Sequence, residues 1–495
     1  MEKISTNAIN AISVRFAPSP TGNLHIGGIR TALFNYLFAL KNGGRFVLRI
    51  DDTDRTRSKK EYEEAIVEDL KWFDLKWDEF YRQSERISIY EKYLDILIEN
   101  GLVYECYCKE DEILKSKEIA VNSKKPYIYN GKCLNISQSE KEKLKAIFKE
   151  KGIYPSIRLN IAEILRRNYD YAAVEFDDAV HGRLSFNPKL FGDFILKTEK
   201  NRFTYNFASI IDDYDLNITH VIRGEDHLSN TPKQILILKA LEKKPPVFAH
   251  ISLLYGKDGK IMSKRDAASN IKYYLEEGYL PKAILNYLAI TGNTFTVYDT
   301  RNGNRHAFEK EIFHDVYGMA ELLDIQKAKS SSAIFNEDKL KFINEKHLAV
   351  LSAEELKNIL TEKFRAAQAI EKLEAEYGKD LSLKIIGFLK NEFKTVSEIL
   401  KELEIFFDGF TINLNGIKYD DELRRSLLNN LLNLNDFDEN SIKNVIKETA
   451  SQNKKAVKEC YEALRLFITG RLDGPSILKI TGFLGKGKII KRLFL

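Results

Sequence analysis

The feature that most constrains the fold is the run "RFAPSPTGNLHIGGIRTAL" at positions 15–33, which holds two prolines and three glycines. The residues of "AISVRFAP" predict a strand, and apolar residues at helical spacing after His25 predict a helix that stops at Gly43. The prolines fix the backbone, and the glycines remove side chains where a ligand or a facing backbone comes close. Because a helix N-terminus presents unpaired N–H groups, the junction is predicted to bind phosphate, with Thr21 and His25 as donors. The alternative is a structural loop in which His25 only caps the helix.

Strands and helices continue to alternate after this junction. "RFVLRI" predicts a second strand, and a capping-box pattern at Ser58 and Glu61 predicts the start of the next helix. A later run, "ITHVIRGED", predicts another strand that ends in charged residues. This alternation favours a parallel α/β sheet, in which ligands bind at the carboxyl ends of the strands.

The chain has 495 residues, which is too long for one hydrophobic core. The alternation breaks down between about residues 90 and 205, where a Cys-x-Cys pair and short strands such as "YPSIRLNI" predict an inserted domain. From about Ser330 onward the pattern is almost wholly helical, with a second capping box at Ser352 and Glu355. We therefore expect several domains, of which the last is helical.

Composition and charge exclude some classes of protein. No run of about 18 apolar residues is present, so no membrane span is predicted, and the N-terminus lacks the pattern of a signal peptide. Four cysteines in a chain of this length do not make a disulfide scaffold, so a reducing cytoplasm is expected. Lysine and arginine total 77 against 72 acidic residues, and the net charge of +5 permits a polyanionic partner without requiring one.

A second loop, far downstream, carries basic side chains between glycines. Its sequence is "YGKDGKIMSKRDAASN", and it contains Lys260, Lys264 and Arg265. A lysine in a glycine-flanked loop suits chemistry in which negative charge grows on a transferring phosphorus. The alternative is an exposed basic hairpin.

Taken together, these stretches resemble a known family. "APSPTGNLHIGG" and "MSKR" are similar to the paired HIGH-type and KMSKS-type signatures of class I aminoacyl-tRNA synthetases. The chain as a whole resembles bacterial glutamyl-tRNA synthetases from Ser13 to the C-terminus, and the resemblance is weakest over residues 294–329. The stretches that carry it further are "RIDDTDRTR", "YRQSERISIYEKY", "FTYNFASIIDDYDLNITHVIRGEDHLSNTPKQ" and "RLFITGRLDGPSILKITGFLGK".

The resemblance implies a fold class and domain boundaries. It predicts an α/β Rossmann-like catalytic domain with an inserted α+β acceptor-binding domain, a connector domain and an all-α C-terminal anticodon-binding region. The predicted ranges are 1–90 and 206–262 for the catalytic domain, 91–205 for the insertion, 263–330 for the stem-contact connector and 331–495 for the helical region.

The resemblance also implies a reaction in two steps. Glutamate attacks the α-phosphate of ATP, giving glutamyl-adenylate and pyrophosphate, and the terminal ribose of tRNA(Glu) then takes the glutamyl group. Members of the family generally need bound tRNA for the first step, and ATP is used with Mg²⁺. Catalysis would come from positioning and charge stabilisation. The expected partners are L-glutamate, ATP and tRNA(Glu), with no DNA and no membrane, and the enzyme is expected to be a cytoplasmic monomer.

The matching motifs assign roles to particular residues, of which His25 and Lys264 would be catalytic. Because the substrate carries two carboxylates, fixed guanidinium groups suit it; the alternative for each arginine is an ion pair with a nearby carboxylate. Arg15→Ala is expected to abolish glutamate activation and to leave the fold intact. The ATP-binding residues would be Thr21, His25, Gly27, Gly28, Asp226, Leu254 and Lys264, and the glutamate-binding residues Arg15, Ala17, Ser19, Asp51, Tyr205, Ser209 and Arg223.

Three positions of the catalytic motifs depart from the family pattern. Position 28 is glycine where the HIGH signature has histidine, a change that glutamyl enzymes often show. Ile261 replaces the first lysine of the KMSKS-type signature, and whether Lys260 substitutes for it stays open. Asp51 stands where many relatives carry glutamate, so the charge is kept on a shorter arm that a bridging water would extend.

The resemblance includes a metal knuckle, which some family members form with residues that match Cys106, Cys108 and Cys133. The usual fourth ligand is a histidine, and Asn135 stands in its place, whereas Tyr129 matches a tyrosine that a shorter relative uses. Structural zinc sites take four ligands. A zinc site made of three thiols and a tyrosine and the remnant of a lost site are both left open.

Other families explain less of the chain. Glutaminyl-tRNA synthetases share the catalytic motifs but carry β-barrels at the anticodon end, which the helical periodicity after Ser330 opposes. The shortened tRNA-modifying paralogue lacks that region, and a small nucleotidylyltransferase with a HIGH-type loop would not need the added domains. A tRNA-binding scaffold without activity would be free to lose His25 and Lys264.

The anticodon specificity stays open. Some relatives use an arginine to require a cytosine at the third anticodon base. The segment "FLKNEFKTVSEIL", which aligns with that region, offers Lys390 and Lys394 but no arginine. Whether tRNA(Gln) is charged as well as tRNA(Glu) therefore does not follow from the sequence.

Overall fold

The computed structural model describes residues 11–54, 56–124, 126–167, 173–262, 270–299, 306–329, 332–414 and 417–494. The chain divides into two compact units, Met1–Tyr273 with Ile284–Glu337 and Tyr274–Ala283 with Asp338–Leu495. This division is coarser than the four domains expected from the sequence, so their boundaries stay predictions. None of the helices described is long and apolar enough to cross a membrane.

The described residues form the following strands and α-helices, in chain order. The strands are β1 (Ser13–Phe16), β2 (Arg45–Ile50), β3 (Glu79–Arg82), β4 (Val103–Cys106), β5 (Ser156–Leu159), β6 (Val174–Asp178), β7 (Gly182–Phe186), β8 (Ile195–Lys197), β9 (His220–Gly224), β10 (Val247–Ile251), β11 (Leu254–Tyr255), β12 (Thr296–Asp299), β13 (His306–Glu309) and β14 (Ala333–Ile334). The helices are α1 (Ile26–Lys41), α2 (Lys60–Trp72), α3 (Ile87–Glu99), α4 (Glu110–Asn122), α5 (Gln138–Glu150), α6 (Ile161–Arg167), α7 (Tyr205–Asp215), α8 (Thr231–Ala240), α9 (Ile271–Glu276), α10 (Pro281–Ile290), α11 (Val316–Leu322), α12 (Glu337–Val350), α13 (Ala353–Lys363), α14 (Ala367–Glu392), α15 (Val396–Leu403), α16 (Asp421–Leu432), α17 (Glu439–Gln452), α18 (Val457–Thr469) and α19 (Ile477–Leu493).

The first unit is built on parallel strands, as the alternation in the sequence predicts. β2 lies between β1 and β3, and all three run parallel. β9 lies on the other side of β1, because Thr219 donates its backbone N–H to the carbonyl oxygen of Ser13 at 2.9 Å, and β10 pairs in parallel with β9. The spatial order of the strands is therefore β3-β2-β1-β9-β10, so successive strands are added on one side of β1 up to β3 and on its other side from β9 onward. Open α/β sheets bind ligands at the carboxyl ends of the strands where the order changes in this way.

One strand of the predicted insertion belongs to the same layer as the catalytic strands. β6 pairs in parallel with β10, with Asp178 opposite Phe248, and forms an antiparallel hairpin with β7. The rest of the insertion forms its own antiparallel sheet in the order β4-β5-β8. The side chain at the end of β6 is thus brought next to the strands that carry the site.

Helix α1 starts at the glycine-rich junction, as predicted. Its N-cap residue is His25, and Gly43 follows its end with φ of 57°, a left-handed conformation that suits glycine. Ile29, Leu33 and Leu37 are fully buried. The helix is therefore held to the sheet by the apolar face that the sequence indicates.

The capping box predicted at Ser58 and Glu61 is wrong. α2 begins at Lys60 with Lys59 as its N-cap residue, and no side chain caps it. The hydroxyl of Ser58 is buried without a hydrogen-bond partner among the described residues. The backbone N–H of Lys59 donates to the carbonyl oxygen of Pro20 at 3.0 Å, so contact with the junction loop, and not a cap, fixes the start of this helix.

The second unit is helical throughout residues 274–283, 338–414 and 417–494, where no strand is described, and this confirms the predicted all-α region. The capping box at Ser352 and Glu355 is also confirmed, with a 3.1 Å bond from the Glu355 N–H to the Ser352 hydroxyl and a 2.7 Å return bond. Fully buried leucines such as Leu356 and Leu427 form the core of this unit.

Candidate active site and cysteine cluster

A cavity of about 700 Å³ lies at the carboxyl ends of β1, β2, β9 and β10. Ser209, a predicted glutamate ligand, is not among its lining residues. Lys264 lies outside the described residues, although Ile261 and Met262, shortly before it, line the cavity. The predicted site residues that the structure brings together here are Arg15, Ala17, Ser19, Thr21, His25, Gly27, Gly28, Asp51, Tyr205, Arg223, Asp226 and Leu254.

The N-terminus of α1 opens onto this cavity with His25 as its N-cap residue. Nδ1 of His25 accepts a hydrogen bond from the backbone N–H of Gly28 at 3.2 Å. A neutral imidazole that accepts at Nδ1 carries its proton at Nε2. His25 thus caps the helix through one ring nitrogen and carries an N–H on the other. The role of a helix cap and the role of a phosphate donor, both considered from the sequence, are therefore compatible.

The glycines of the first turn of α1 lie close to neighbouring side chains. A Cβ at Gly27 would lie 3.0 Å from Nδ1 of His25, and a Cβ at Gly28 would lie 2.7 Å from Cδ1 of Leu24. Leu24 therefore occupies the space that a side chain at position 28 would need. A side chain at position 28, where the HIGH signature has histidine, would therefore require Leu24 to move.

Arg15, at the end of β1, is paired with a buried carboxylate. Its Nε and Nη2 donate to Asp213 of α7 at 2.9 and 3.3 Å, and its Nη1 donates to the carbonyl oxygen of Ile222 at 3.4 Å. Arg15 is 3% exposed and Asp213 is fully buried. The ion pair considered as an alternative for Arg15 is therefore present, and the guanidinium, which has five N–H donors, keeps two of them for a ligand.

Arg49 of β2 joins Arg15 and Asp51 into one network. Its Nε and Nη2 donate to the two oxygens of Asp51 at 2.7 and 3.2 Å, and its Nη1 donates to Asp213 at 2.7 Å. Nη2 also donates to the hydroxyl of Ser209 at 3.1 Å, which accounts for the absence of Ser209 from the cavity lining. Burial raises the pKa of Asp51 to about 6, and the contact with Arg49 opposes this rise.

Arg223, at the end of β9, has no carboxylate partner among the described residues. Its Nε donates to Nε2 of His250 at 3.1 Å, and its Nη1 donates to the hydroxyl of Tyr205 at 3.3 Å. Its Nη2 donates to the hydroxyl of Thr231 and the amide oxygen of Gln234 at 2.7 and 2.8 Å. Arg223 is 4% exposed, and burial lowers its pKa. A buried cation with neutral partners is unfavourable, and an anionic ligand in the cavity would offset that cost.

Two buried charges that hold these groups in place lie outside the sequence motifs. Arg49 and Asp213 are both fully buried, and neither was predicted. Arg49 interrupts the apolar strand "RFVLRI", and Asp213 follows the apolar half of α7. Charged residues inside runs whose neighbours are buried are rarely without a partner, and this signal was available in the sequence.

A second cluster of functional side chains lies in the predicted insertion. The Sγ atoms of Cys106, Cys108 and Cys133 lie within 4.8 Å of one another. The hydroxyl oxygen of Tyr129 is 3.4 Å from Cys106 Sγ and 3.3 Å from Cys108 Sγ. The guanidinium of Arg158 lies over the Tyr129 ring, 3.8 Å from its centroid. The structure thus brings the four predicted ligand atoms together beside one cation.

Known proteins of similar sequence and structure cover almost the whole chain. The chain is 38% identical to the glutamate–tRNA ligase of Aquifex aeolicus over 98% of both proteins. It is 35% identical to glutamate–tRNA ligase 1 of Caldicellulosiruptor saccharolyticus, over 97% of this chain and 98% of the relative. The crystal structure of a glutamate tRNA ligase from Elizabethkingia meningosepticum in complex with its amino acid matches with a TM-score of 0.79 and 30% identity, over 98% of this chain and 99% of that one.

Two family models match consecutive parts of the chain. Residues 11–342 match the model described as "tRNA synthetases class I (E and Q), catalytic domain", and residues 353–494 match "Anticodon binding domain". With the parallel sheet and the helix junction at its carboxyl edge, these matches define a class I aminoacyl-tRNA synthetase. Since the relatives align over nearly the full length, the chain belongs to the glutamate–tRNA ligase family, which confirms the resemblance seen in the sequence.

Proposed function

We propose that the cavity binds L-glutamate and ATP side by side, forms glutamyl-adenylate and transfers the glutamyl group to the terminal ribose of tRNA(Glu). The observation that carries this proposal is that Arg15, Arg223 and His25 line one cavity where the strand order reverses. Its volume of about 700 Å³ lies within the range of small-molecule sites. The roles of individual residues follow from their charges and hydrogen bonds.

Glutamate is held by opposite charges in this proposal. Arg15 and Arg223 bind its two carboxylates, and Asp51 binds its α-ammonium group. Glutamine would place a neutral amide near the guanidinium groups and leave a buried charge without an anionic partner. The unpaired charge makes the binding free energy of glutamine less favourable than that of glutamate by about 2–4 kcal/mol, which is a discrimination of roughly 30- to 1000-fold. Ala17, Ser19, Tyr205 and Ser209 complete the set of residues proposed for glutamate, with Ser209 acting through Arg49.

ATP is proposed to place its phosphates at the N-terminus of α1. Backbone N–H groups and the Nε2–H of His25 are donors for the charge that develops on the α-phosphate. Mg²⁺ prefers phosphate, carboxylate and water oxygens, and Asp54 and Asp226 offer carboxylates at this cavity. The further ATP contacts proposed are Thr21, Gly27, Gly28, Asp226, Leu254 and, outside the described residues, Lys264.

Arg223→Met tests the glutamate site directly. The variant removes the charge and keeps much of the buried volume, so the KM for glutamate should rise at least about 30-fold while the KM for ATP stays within about twofold. Arg183→Met, at an arginine whose side chain is 73% exposed on β7, is the matched control and should change neither constant. Charging of unfractionated tRNA with glutamate and with glutamine, and pyrophosphate exchange with and without tRNA, complete the test. An unchanged KM for glutamate in Arg223→Met would refute the proposed site.

The match to an anticodon-binding model supports tRNA as the partner. Both lysines in the aligned segment have partners: Lys390 donates to the carbonyl oxygens of Ala349 and Leu351, and Lys394 lies 3.2 Å from Glu345. Discrimination between tRNA(Glu) and tRNA(Gln) stays open, and charging of each purified tRNA tests it. The monomeric state and cytoplasmic location also stay predictions, the first of which analytical ultracentrifugation tests.

We also propose that the cysteine cluster binds zinc. Zn–S bonds of about 2.3 Å place tetrahedral ligands roughly 3.5–3.8 Å apart. The Sγ atoms of Cys108 and Cys133 are 3.6 Å apart, and Tyr129 is 3.3 Å from Cys108. The Arg158 guanidinium beside the cluster would offset the negative charge of the deprotonated ligands. The donor set therefore suits a closed structural zinc site.

A further inference from the structure

A chain of buried hydrogen bonds lies behind Arg223 and ends at a carboxylate. Nδ1 of His250 lies 2.6 Å from Oδ2 of Asp178, and Nε2 of His250 accepts from Nε of Arg223 at 3.1 Å. His250 is fully buried and Asp178 is 3% exposed. The three residues come from three adjacent strands, β6, β10 and β9.

The hydrogen bonds fix the proton of His250 on one nitrogen. Because the Arg223 Nε–H is a donor, Nε2 of His250 must present a lone pair. The proton therefore lies on Nδ1, where it is donated to Asp178. Burial lowers the pKa of His250, which agrees with a neutral ring. The tautomer that Arg223 needs is thus the one that Asp178 stabilises.

The same residues have the arrangement of an acid, a base and a hydroxyl nucleophile, because Oγ1 of Thr231 lies 2.9 Å from Nε2 of His250. Thr231 is fully buried and is not among the residues that line the cavity. Its hydroxyl also accepts from Nη2 of Arg223 at 2.7 Å. No substrate carbonyl or phosphorus has access to this hydroxyl, so the geometry does not support a covalent mechanism.

We infer that Asp178 and His250 are positioning residues that orient the guanidinium of Arg223 toward the amino-acid substrate. This inference rests on the proposed role of Arg223 in binding glutamate. It also places one determinant of the amino-acid site at residue 178, within the range 91–205 that the sequence assigns to the inserted domain.

Asp178→Asn reverses the tautomer without changing the shape of the side chain. Oδ1 of Asp178 accepts from the backbone N–H groups of Val180 and His181, both at 3.0 Å, so the amide oxygen of the asparagine must take that place. Its NH₂ group then faces Nδ1 of His250, and the ring proton moves to Nε2, opposite the Arg223 donor. The KM for glutamate should rise about 10- to 100-fold, and the KM for ATP should stay within about twofold.

Asp177→Asn is the matched control, because it makes the same chemical change at the exposed neighbouring position and should leave both constants unchanged. Two variants at position 250 give a second, independent test. His250→Gln offers an amide oxygen to Arg223, whereas His250→Leu offers no acceptor. The KM for glutamate should therefore be at least about tenfold lower in His250→Gln than in His250→Leu. The comparison of His250→Gln with His250→Leu tests the positioning role even if Asp178→Asn fails to fold.

Two results would overturn the inference. The first is an Asp178→Asn enzyme that melts like the wild type and has an unchanged KM for glutamate; the second is equal KM values for His250→Gln and His250→Leu. Arg223→Met separates these failures from failure of the site itself. If Arg223→Met raises the KM for glutamate and the Asp178 and His250 variants do not, the positioning role is wrong and the glutamate site stands.

Discussion

The two arginines of the cavity are buried among different partners, and this determines what each contributes to a ligand. Arg15 keeps Asp213 as its partner, so its charge is balanced before any substrate binds. Arg223 donates only to neutral groups among the described residues. An anionic ligand therefore removes more unfavourable burial at Arg223 than at Arg15. Variants at the two positions should differ in stability as well as in activity.

Arg15→Ala is predicted to reduce stability, whereas the sequence alone led us to expect an intact fold. The substitution removes two charged hydrogen bonds from Asp213 and leaves that buried carboxylate with Arg49 alone. The free energy of unfolding should fall by about 2–4 kcal/mol, measured by urea denaturation, and glutamate-dependent exchange should be lost. Arg15→Lys, which keeps one charge near Asp213, should be intermediate. An Arg15→Ala protein as stable as the wild type would show that Arg49 alone is sufficient to balance the buried charge of Asp213.

At the scale of single elements, the sequence predicts most where the period of apolar residues is clear. β1, α1 and β2 follow their patterns, and the cap at Ser352 forms because a local interaction is sufficient there. The capping box at Ser58 does not form, because the Ser58 backbone N–H, which Glu61 would have to accept, donates instead to the carbonyl oxygen of Asp54 at 2.9 Å. The partners of Arg223 lie 8 to 27 positions away in the sequence. A local pattern does not contain such pairs, so only the folded chain shows them.

Helix α2 contains a carboxyl group whose titration should be visible in stability. Burial raises the pKa of Asp69 to about 7 from an ordinary value of 3.8, with a smaller contribution from Glu68. Between these two values the unfolded chain loses this proton and the folded chain keeps it, so this group makes the free energy of unfolding fall as pH rises from about 4 to 7. Asp69→Asn removes that dependence and should stabilise the protein by about 1–3 kcal/mol at pH 8, with no gain near pH 4.

Denaturation of Asp69→Asn at both pH values measures this effect. Asp95→Asn makes the same chemical change at an exposed position of α3 and is the control, which should leave the free energy of unfolding within about 0.5 kcal/mol of the wild type. Equal gains for Asp69→Asn at pH 4 and pH 8 would mean that helix propensity, and not titration, is responsible.

The cysteine cluster leads to a prediction about metal content. Purified protein should contain about one zinc per chain, measured by mass spectrometry of the metal, because the three Sγ atoms lie within 4.8 Å of one another and the Tyr129 hydroxyl lies 3.3 Å from Cys108 Sγ. Cys133→Ala should lose the metal and lower the melting temperature. Cys460→Ala is the control, since this buried cysteine lies on α18 in the second unit and should keep the zinc. Metal-free protein from zinc-supplemented cultures would identify the cluster as a remnant.

At the scale of the whole molecule, the sequence is sufficient for the family, the α/β catalytic part and the all-α C-terminal part, because each has its own period and its own motifs. It does not show that β6 of the predicted insertion pairs with β10. That pairing joins segments about 70 residues apart through a single strand edge, and it brings Asp178 to His250. The dependence of the proposed amino-acid site on this strand, which we infer from the Asp178–His250 contact, is therefore a matter of the tertiary fold.

The net charge of +5 leads to a prediction about salt, because lysines and arginines that neutralise tRNA phosphates release counterions when tRNA binds. Raising KCl from about 50 to 200 mM should increase the KM for tRNA at least about tenfold. Glutamate, if it binds between the buried charges as we propose, is screened much less, so its KM should change by less than about threefold. Aminoacylation kinetics with each substrate varied at saturating levels of the others measure both values. Parallel increases in the two constants would instead mean that the amino-acid site is open to solvent ions, and the argument from the buried Arg15 and Arg223 would then be wrong.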